Sequence, residues 1–169
     1  MKQLSLWGTC GEQWNKKDIV YTPPWVAKDI INWLNPSGTI LDPCKGNGAF
    51  YHQLIKIMAV VDWCEIAEGK DFFDYHKKTE WIIGNPPYSI FYEWLRHSFR
   101  ISGNVAYLVP VNKVFQRKII MKAINSFGGI AGMRIYGGGN NIGFPFGFSV
   151  GVFHFKKNWR GKAEISLLA

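Results

Sequence analysis

The chain has 169 residues, 47% of them hydrophobic, so it is long and apolar enough to form a packed core and is not a disordered segment. Its formal net charge of +8 favours a polyanionic partner, with nucleic acid first and an acidic membrane surface second, although such a charge also aids solubility. The three cysteines form no CxxC pair and no metal-ligand spacing, and no apolar run reaches the length of a membrane span. We therefore expect a cytoplasmic protein without a structural metal or a disulfide framework.

The first twenty residues are polar and aromatic without a clear period, so we expect an extended arm at 1–20, without a signal peptide, ahead of a single domain at 21–169. A helix is expected to begin at Tyr21-Thr22-Pro23-Pro24, because a proline in the first turn lacks only an N–H group that has no intrahelical partner. Thr22 is the expected N-cap. Apolar residues follow at helical spacing, and 35–38 end the helix.

The rest of the chain alternates predicted strands with predicted helices. Strands are expected at 39–41, 59–64, 81–84, 104–109, 133–136 and 149–155, and helices at 50–58, 89–100 and 114–127. The last two strands are expected to pair as a hairpin. This order predicts an α/β fold with a mostly parallel sheet and an antiparallel C-terminal tail.

A glycine-containing turn follows the first predicted strand. Asp42 ends the strand, and Gly46 and Gly48 allow the backbone to approach a ligand at the start of the next helix. The turn lacks the third glycine of a dinucleotide fingerprint and the lysine-serine end of a phosphate loop, so it does not specifically indicate a pyrophosphate.

Two acidic positions follow the second predicted strand. Glu65 lies at its end, where a carboxylate in this kind of sheet accepts hydrogen bonds from ribose hydroxyls, and the alternative is a charge that faces solvent. Asp71 is a candidate acceptor for an adenine amino group, with Phe72 packed on the base. The alternative is that Asp71 caps a turn and that Phe72 and Phe73 belong to the core.

The sequence Gly84-Asn85-Pro86-Pro87-Tyr88 lies between a buried strand and an aromatic-rich helix. Its prolines fix φ and remove two N–H donors, so we expect a stiff loop that holds the Asn85 side chain at the carboxyl end of the strand. Such a pocket is rich in acceptors, poor in donors and covered by a ring, which suits a planar group bearing an NH2. The alternative is a rigid strand-to-helix turn.

Two later segments carry candidate substrate contacts. The glycine-rich loop at 137–148, which we expect to be mobile, contains Phe146 and Phe148. Lys113 precedes the predicted helix 114–127, whose basic face is suited to phosphate or simply to water.

The motifs D-P-x-x-G-x-G-x-F at 42–50 and N-P-P-Y at 85–88 together resemble the S-adenosylmethionine-dependent amino-methyltransferases. The threonine and proline at 22–23, ahead of the glycine turn, resemble the corresponding motif of adenine-N6 DNA methyltransferases. The resemblance spans 21 to about 155 and implies a Rossmann-like fold with a seven-stranded sheet, S-adenosylmethionine as cofactor and nucleic acid, DNA before RNA, as substrate. Lys45 departs from the family pattern, in which a small or aromatic residue is usual.

The resemblance also implies roles for individual residues. The methionine end of the cofactor is bordered by Tyr21, Thr22 and Pro23, and its backbone and sulfonium are lined by Asp42, Gly46 and Gly48. The ribose is held by Glu65, and the adenine is bound by Asp71 and Phe72. Asn85 and the carbonyl of Pro86, in a loop stiffened by Pro87, accept from the target amino group, Tyr88 stacks on the base, and Phe146 or Phe148 supports its other face. The target base must leave the duplex to reach this pocket.

Three other functions stay open. The first is methylation of adenine in structured RNA, the second is methylation of a protein glutamine, and the third is nucleic-acid binding by a catalytically silent module. The sequence also leaves no room for the separate target-recognition domain that many DNA methyltransferases of this kind carry, so selectivity is expected to come from the loop at 137–148, the arm or a partner.

Overall fold

The computed structural model of the chain describes residues 19–57 and 60–168. Most of the predicted arm at 1–20 lies outside the described residues, as do the end of the predicted helix 50–58 and the start of the predicted strand 59–64. In the part of the chain that is described, no helix has the length and apolarity needed to cross a bilayer.

The described chain contains five α-helices and seven strands. The helices are α1 (Pro24–Leu34), α2 (Tyr51–Leu54), α3 (Phe91–Ile101), α4 (Val111–Phe115) and α5 (Lys118–Phe127). The strands are β1 (Ile40–Asp42), β2 (Val61–Trp63), β3 (Thr79–Gly84), β4 (Ser102–Pro110), β5 (Gly128–Gly138), β6 (Ser149–Lys157) and β7 (Glu164–Leu167). Short 3₁₀ helices occur at Ile66–Glu68, Phe72–Asp74, Tyr88–Ile90 and Gly139–Ile142.

The seven strands form one sheet in the order β2-β1-β3-β4-β6-β5-β7. β1 to β4 are parallel to one another, whereas β6 runs antiparallel to both β4 and β5. The predicted parallel sheet with an antiparallel C-terminal hairpin is thereby confirmed. The position of the seventh strand was not predicted: β7 adds to β5 in parallel, where Ser166 accepts a hydrogen bond from Arg134 at 3.1 Å.

Three local predictions were wrong. Thr22 is not the N-cap of α1, because that position falls on Pro23 and the buried Thr22 side chain makes no capping hydrogen bond. The helix after the glycine turn has one turn only, at Tyr51–Leu54. The predicted helix 114–127 is two helices, since Arg117 has extended backbone angles and ends the run that starts at Val111.

Apolar side chains from both faces of the sheet form two hydrophobic clusters. One cluster packs against α3, α4 and α5 and includes a parallel stack of Phe99 on Phe127 at 3.8 Å. The other packs against α1 and α2 and includes Val26 and Ile30, as the helical spacing predicts. Helices therefore cover both faces, and the carboxyl ends of β1, β2 and β3 come together at one edge of the sheet, where such folds bind ligands.

Candidate active site

A cleft of about 310 Å³ opens at this edge, a volume at the lower end of the range of small-molecule sites. Segments far apart in the sequence line it, and these include seven of the predicted site residues: Tyr21, Gly46, Glu65, Asp71, Phe72, Asn85 and Pro87. The structure therefore brings five of the nine predicted cofactor residues to one cavity with Asn85 and Pro87.

Asp42 lies beneath the glycine turn and not on the cleft surface. Its side chain is buried, and its two carboxylate oxygens accept hydrogen bonds from the backbone N–H groups of Cys44 at 3.2 Å and Tyr51 at 3.1 Å. Burial raises the pKa of Asp42 to about 7, although these two N–H groups lower it in part. Asp42 thus joins the two ends of the turn and fixes its shape.

The turn itself depends on glycine. Gly46 and Gly48 have φ angles of +52° and +85°, a backbone conformation that residues with a side chain rarely adopt. At Gly46 a Cβ would lie 3.5 Å from the ring of Tyr21. Gly46 and Tyr21 both line the cleft, so a side chain at Gly46 would occupy space beside that ring. Gly48 lies farther along, under the ring of His52, and does not line the cleft.

Glu65 connects β2 to the glycine turn. Its Oε2 accepts a hydrogen bond from the Gly46 N–H at 2.7 Å, and its Oε1 accepts one from the Ala67 N–H at 3.1 Å. A carboxylate offers about four acceptor positions, so capacity for ligand hydroxyls remains on the cleft side.

Asp71 and Phe72 border the cleft while also serving the fold. Asp71 caps the following 3₁₀ helix by accepting from the Phe73 N–H at 2.9 Å. Phe72 is 2% exposed and packs on Trp94, with ring centroids 4.5 Å apart. The structural alternatives for both residues therefore hold, and the half-buried Phe73 is the more accessible ring of the pair.

Asn85 is held so that its amide oxygen is left for a ligand. Its Nδ2 donates to the backbone carbonyl of Val20 at 2.9 Å, which fixes the side chain because a carbonyl only accepts. Asn85 lines the same cleft, and its Oδ1 is buried and has no hydrogen-bond partner among the described residues. An unpaired buried acceptor costs about 1 to 3 kcal/mol, and at a binding site the missing donor is a ligand group.

The backbone of Asn85 is also fixed, by a contact that the sequence analysis missed. The Cys44 thiol donates to the Asn85 carbonyl oxygen at 3.0 Å, so the glycine turn and the Asn85 loop are joined directly. At Gly84, a Cβ would lie 3.0 Å from the Pro43 ring, and the absence of a side chain lets the two loops approach. No sequence signal identifies the Cys44 or Val20 contacts, because both use the backbone of a distant segment.

Tyr88 lies beside the cleft under the glycine-rich loop. Its ring is 9% exposed, and the Phe146 ring contacts it at a right-angled geometry with centroids 6.4 Å apart. Phe148, which is half exposed, stacks on Phe146 at 4.2 Å. The structure therefore brings together the three rings predicted to contact the base, and the loop covers Tyr88.

The remaining predicted residues do not line the cleft. Thr22 is buried, and Pro23 lies next to Gly143 of the glycine-rich loop. Pro86, which follows Asn85 in the loop, is buried, and Lys113 lies on α4.

Lys45, which departs from the family pattern, is paired at the rim of the cleft. Its Nζ lies 2.5 Å from the Glu68 carboxylate and 3.7 Å from the ring centre of Trp63. Lys70 also lies over that ring, at 3.5 Å. The charge of Lys45 is therefore balanced locally by Glu68.

The topology is a Rossmann-like fold of the kind found in solved structures described as class I S-adenosylmethionine-dependent methyltransferases. The chain superposes on a candidate enzyme of that class from Listeria monocytogenes with a TM-score of 0.72 at 12% identity, covering 94% of this chain and 68% of that one. No family model matches the sequence, and no curated protein matches it.

Two further neighbours are described as methyltransferases of different kinds. One is a candidate RNA methyltransferase from Pyrococcus horikoshii, with a TM-score of 0.64 at 15% identity over 79% of this chain and 82% of that one. The other is the methyltransferase subunit of a type I restriction-modification system from Streptococcus thermophilus, with a TM-score of 0.59 at 16% identity over 82% of this chain and 45% of that one. At these identities the likeness is one of fold.

The residues of the cleft fit the expected cofactor. Glu65 suits ribose hydroxyls, the half-buried Phe73 and the exposed Ile66 provide apolar surface for a base, and the carboxylates at the rim favour a cation. Asn85, whose buried Oδ1 has no partner in the described part of the chain, lines the same cavity.

Proposed function

We propose that this chain is a methyltransferase that uses S-adenosylmethionine to methylate the N6 amino group of adenine in DNA, in the cytoplasm. The observation that carries the proposal is the buried amide oxygen of Asn85, a residue of the cleft. This atom has no hydrogen-bond partner in the described ranges, and the Val20 carbonyl orients the side chain. An exocyclic NH2 is a donor of the kind that this acceptor lacks.

The cofactor would be held by residues of the glycine turn and the two segments that follow β2. Glu65 would accept from the ribose, Asp71 and Phe73 would border the adenine, and Tyr21 and Gly46 would line the side nearest the methionine part. When bound, S-adenosylmethionine supplies an electrophilic methyl group. Asp42 acts indirectly, because it sets the shape of the turn.

The Asn85 loop would bind and activate the target amino group. The lone pair of an adenine amino nitrogen is delocalised into the ring, so this nitrogen is a poor nucleophile. Asn85 Oδ1 and the Pro86 carbonyl would each accept a hydrogen bond from one of its two N–H groups. These hydrogen bonds would favour a pyramidal nitrogen with a localised lone pair. Fixing these acceptors before the substrate binds lowers the reorganisation needed for reaction.

Three rings are available for the base itself. Tyr88 follows the acceptor loop directly, and Phe146 covers it. A flipped adenine that stacks on Tyr88 would replace the contact with Phe146, and this stacking would offset part of the cost of leaving the duplex. The loop at 137–148 is therefore expected to shift when DNA binds.

RNA is the second candidate substrate, and the neighbour from Pyrococcus horikoshii, described as a candidate RNA methyltransferase, favours it. The net charge of +8 suits either nucleic acid. A protein substrate is less well supported, because that charge has no role in binding a glutamine side chain.

The test is to offer cofactor with a tritiated methyl group to plasmid DNA, total RNA and bulk protein. Label in DNA, recovered as N6-methyladenine after digestion, is the expected result. Label confined to RNA or to protein contradicts the proposed substrate. Label in none of the three, with cofactor and DNA still bound, identifies a silent binding module.

A further inference from the structure

The charges of this chain are divided unequally along the sequence. Residues 1–93 carry nine Lys and Arg against eleven Asp and Glu, whereas residues 94–169 carry eleven against one, so the two parts have net charges of −2 and +10. No acidic residue occurs from Trp94 to Ala163. The part that holds the cofactor residues is thus nearly neutral, and the excess positive charge comes from the remainder.

In the fold, four of the Lys and Arg residues of 94–169 form two groups at opposite edges of the sheet. Arg117 and Lys118 lie at the start of α5, close to α4, which follows the carboxyl end of β4 on the cleft edge. Lys156 and Lys157 end β6, and because β6 is antiparallel to β4, they lie at the other edge, opposite Asn104. Only the first group is near the Asn85 loop.

The group near the cleft is organised around one ring, that of Tyr92. Tyr92 lies in the first turn of α3, which directly follows the Asn-Pro-Pro-Tyr loop. The guanidinium carbons of Arg96 and Arg117 lie 5.7 and 5.8 Å from its centre, and both side chains are exposed. We call Tyr92, Arg96, Arg117 and Lys118 the Tyr92 patch.

Neither guanidinium group forms an ion pair with a carboxylate of the described residues. Over the described ranges 19–57 and 60–168, the carboxylate ion pairs involve Lys45, Lys77 and Arg134 but neither arginine of the Tyr92 patch. Contact with a ring orients a guanidinium while its N–H groups stay available, and its planar fork matches two oxygens of a phosphate.

We propose that the Tyr92 patch binds backbone phosphates of duplex DNA beside the flipped adenine; this inference rests on the proposed function. The patch adjoins the loop that receives the base, so it would fix the strand while the base enters the pocket. It would supply affinity without reading sequence, as phosphate contacts do.

The test compares two double variants that lose the same charge. Arg96→Gln with Arg117→Gln removes two cations of the patch, and Lys157→Gln with Lys162→Gln removes two exposed cations outside it, one of them at the end of β6. Binding of a fluorescein-labelled duplex is followed by anisotropy between 50 and 300 mM KCl. For the patch variant we expect affinity to fall on the order of tenfold or more and the salt slope by about 2, and for the control variant less than about threefold.

Equal losses for the two variants, or no loss for the patch variant, would overturn the inference, because the charge would then act without a defined surface. A larger loss on a structured RNA than on the duplex would also overturn it, in favour of RNA. Circular dichroism melting checks that both variants fold.

Methyl transfer, measured separately, distinguishes the two proposals. Transfer to DNA with an unchanged KM in the patch variant removes this inference alone. Patch-dependent binding of DNA without any transfer by the unaltered chain removes the proposed function alone.

Discussion

Asn85 has the most constrained side chain of the site. Both its amide nitrogen and its backbone carbonyl are fixed, by Val20 and by Cys44, while the buried Oδ1 atom has no partner within residues 19–57 and 60–168. A folded chain that leaves a buried acceptor unsatisfied has lost stability at that point, and ligand binding recovers it. The residue is thus prepared to accept before any substrate arrives.

Asn85→Ala tests this role. Removing one fixed hydrogen-bonding group from a preorganised site typically lowers the rate by about 10²- to 10³-fold, and we expect a loss of that order in methyl transfer to DNA. Cofactor affinity should change by less than about tenfold, since only one neutral hydrogen bond, to Val20, is lost near it. Rates come from tritium incorporation and affinity from isothermal titration calorimetry.

The control is Asn32→Ala, which removes an exposed amide on α1 and should alter neither quantity. If Asn85→Ala abolished cofactor binding in proportion to activity, the amide would belong to the cofactor site and our assignment of the acceptor would be wrong.

At the scale of elements, α1 is fastened to the sheet by a polar cluster remote from the cleft. Asp29 accepts two hydrogen bonds from the Arg134 guanidinium, at 2.7 and 2.9 Å, and one from the Tyr136 hydroxyl at 2.6 Å. Burial by itself would raise the pKa of Asp29, but the hydrogen bonds from Arg134 and Tyr136 outweigh it and lower the pKa. The cluster thereby positions the helix whose N-terminal end leads to Tyr21.

Asp29→Ala should therefore destabilise the chain by about 2 to 3 kcal/mol, because it leaves a partly buried arginine without its partner. Urea unfolding measures the change, with Lys28→Ala, an exposed neighbour on the same helix, as the matched control. Equal effects of the two substitutions would show that the cluster adds nothing beyond helix propensity.

The helices and strands were predictable to the degree that the local sequence determines each of them. Alternating apolar runs and breakers predicted six of the seven strands and the hairpin, since buried parallel strands require continuous apolar residues. β7 escaped because its stability comes from pairing with β5 and not from its own alternation, with Ile165 and Leu167 exposed. The break at Arg117 escaped because its residues are compatible with a helix.

The site was predictable in composition but not in contacts. Spacing brought Glu65, Gly46 and Asn85 to one edge of the sheet, because carboxyl ends of parallel strands meet there. The roles of Asp42 as a brace under the turn and of Phe72 as core depend on burial, which side-chain type alone does not determine.

For the whole molecule, two buried groups give stability opposite dependences on pH. Burial raises the pKa of Asp42 from 3.8 to about 7, so its contribution is fully present below pH 4 and is lost as pH rises through 7. Burial and the charge of Lys156 lower the pKa of His154 from 6.5 to about 4. The contribution of His154 is present above pH 6.5 and is lost as pH falls through 4.

Between pH 4.5 and 6.5 the two groups therefore act against each other. Relative to the unaltered chain, Asp42→Asn should gain unfolding free energy as pH rises, and His154→Gln should lose it, each by at most about 1.4 kcal/mol per pH unit. Urea midpoints at pH 4.5, 5.5 and 6.5 measure both trends, and each variant is the control for the other. A flat trend for either variant would mean that the group it removes keeps its ordinary pKa when the chain is folded, and a reversed trend would mean that this pKa shifts in the opposite direction.

Two ammonium groups, those of Lys45 and Lys70, lie 3.7 and 3.5 Å from the centre of the Trp63 indole. Lys70 also lines the cleft, so a ligand there alters the electric field at one identifiable chromophore. A positive charge near an indole shifts its absorption and emission, and displacement of Lys70 changes that shift. We therefore expect ligand binding in the cleft to change the absorption and emission of the protein, so that binding is followed without an attached dye.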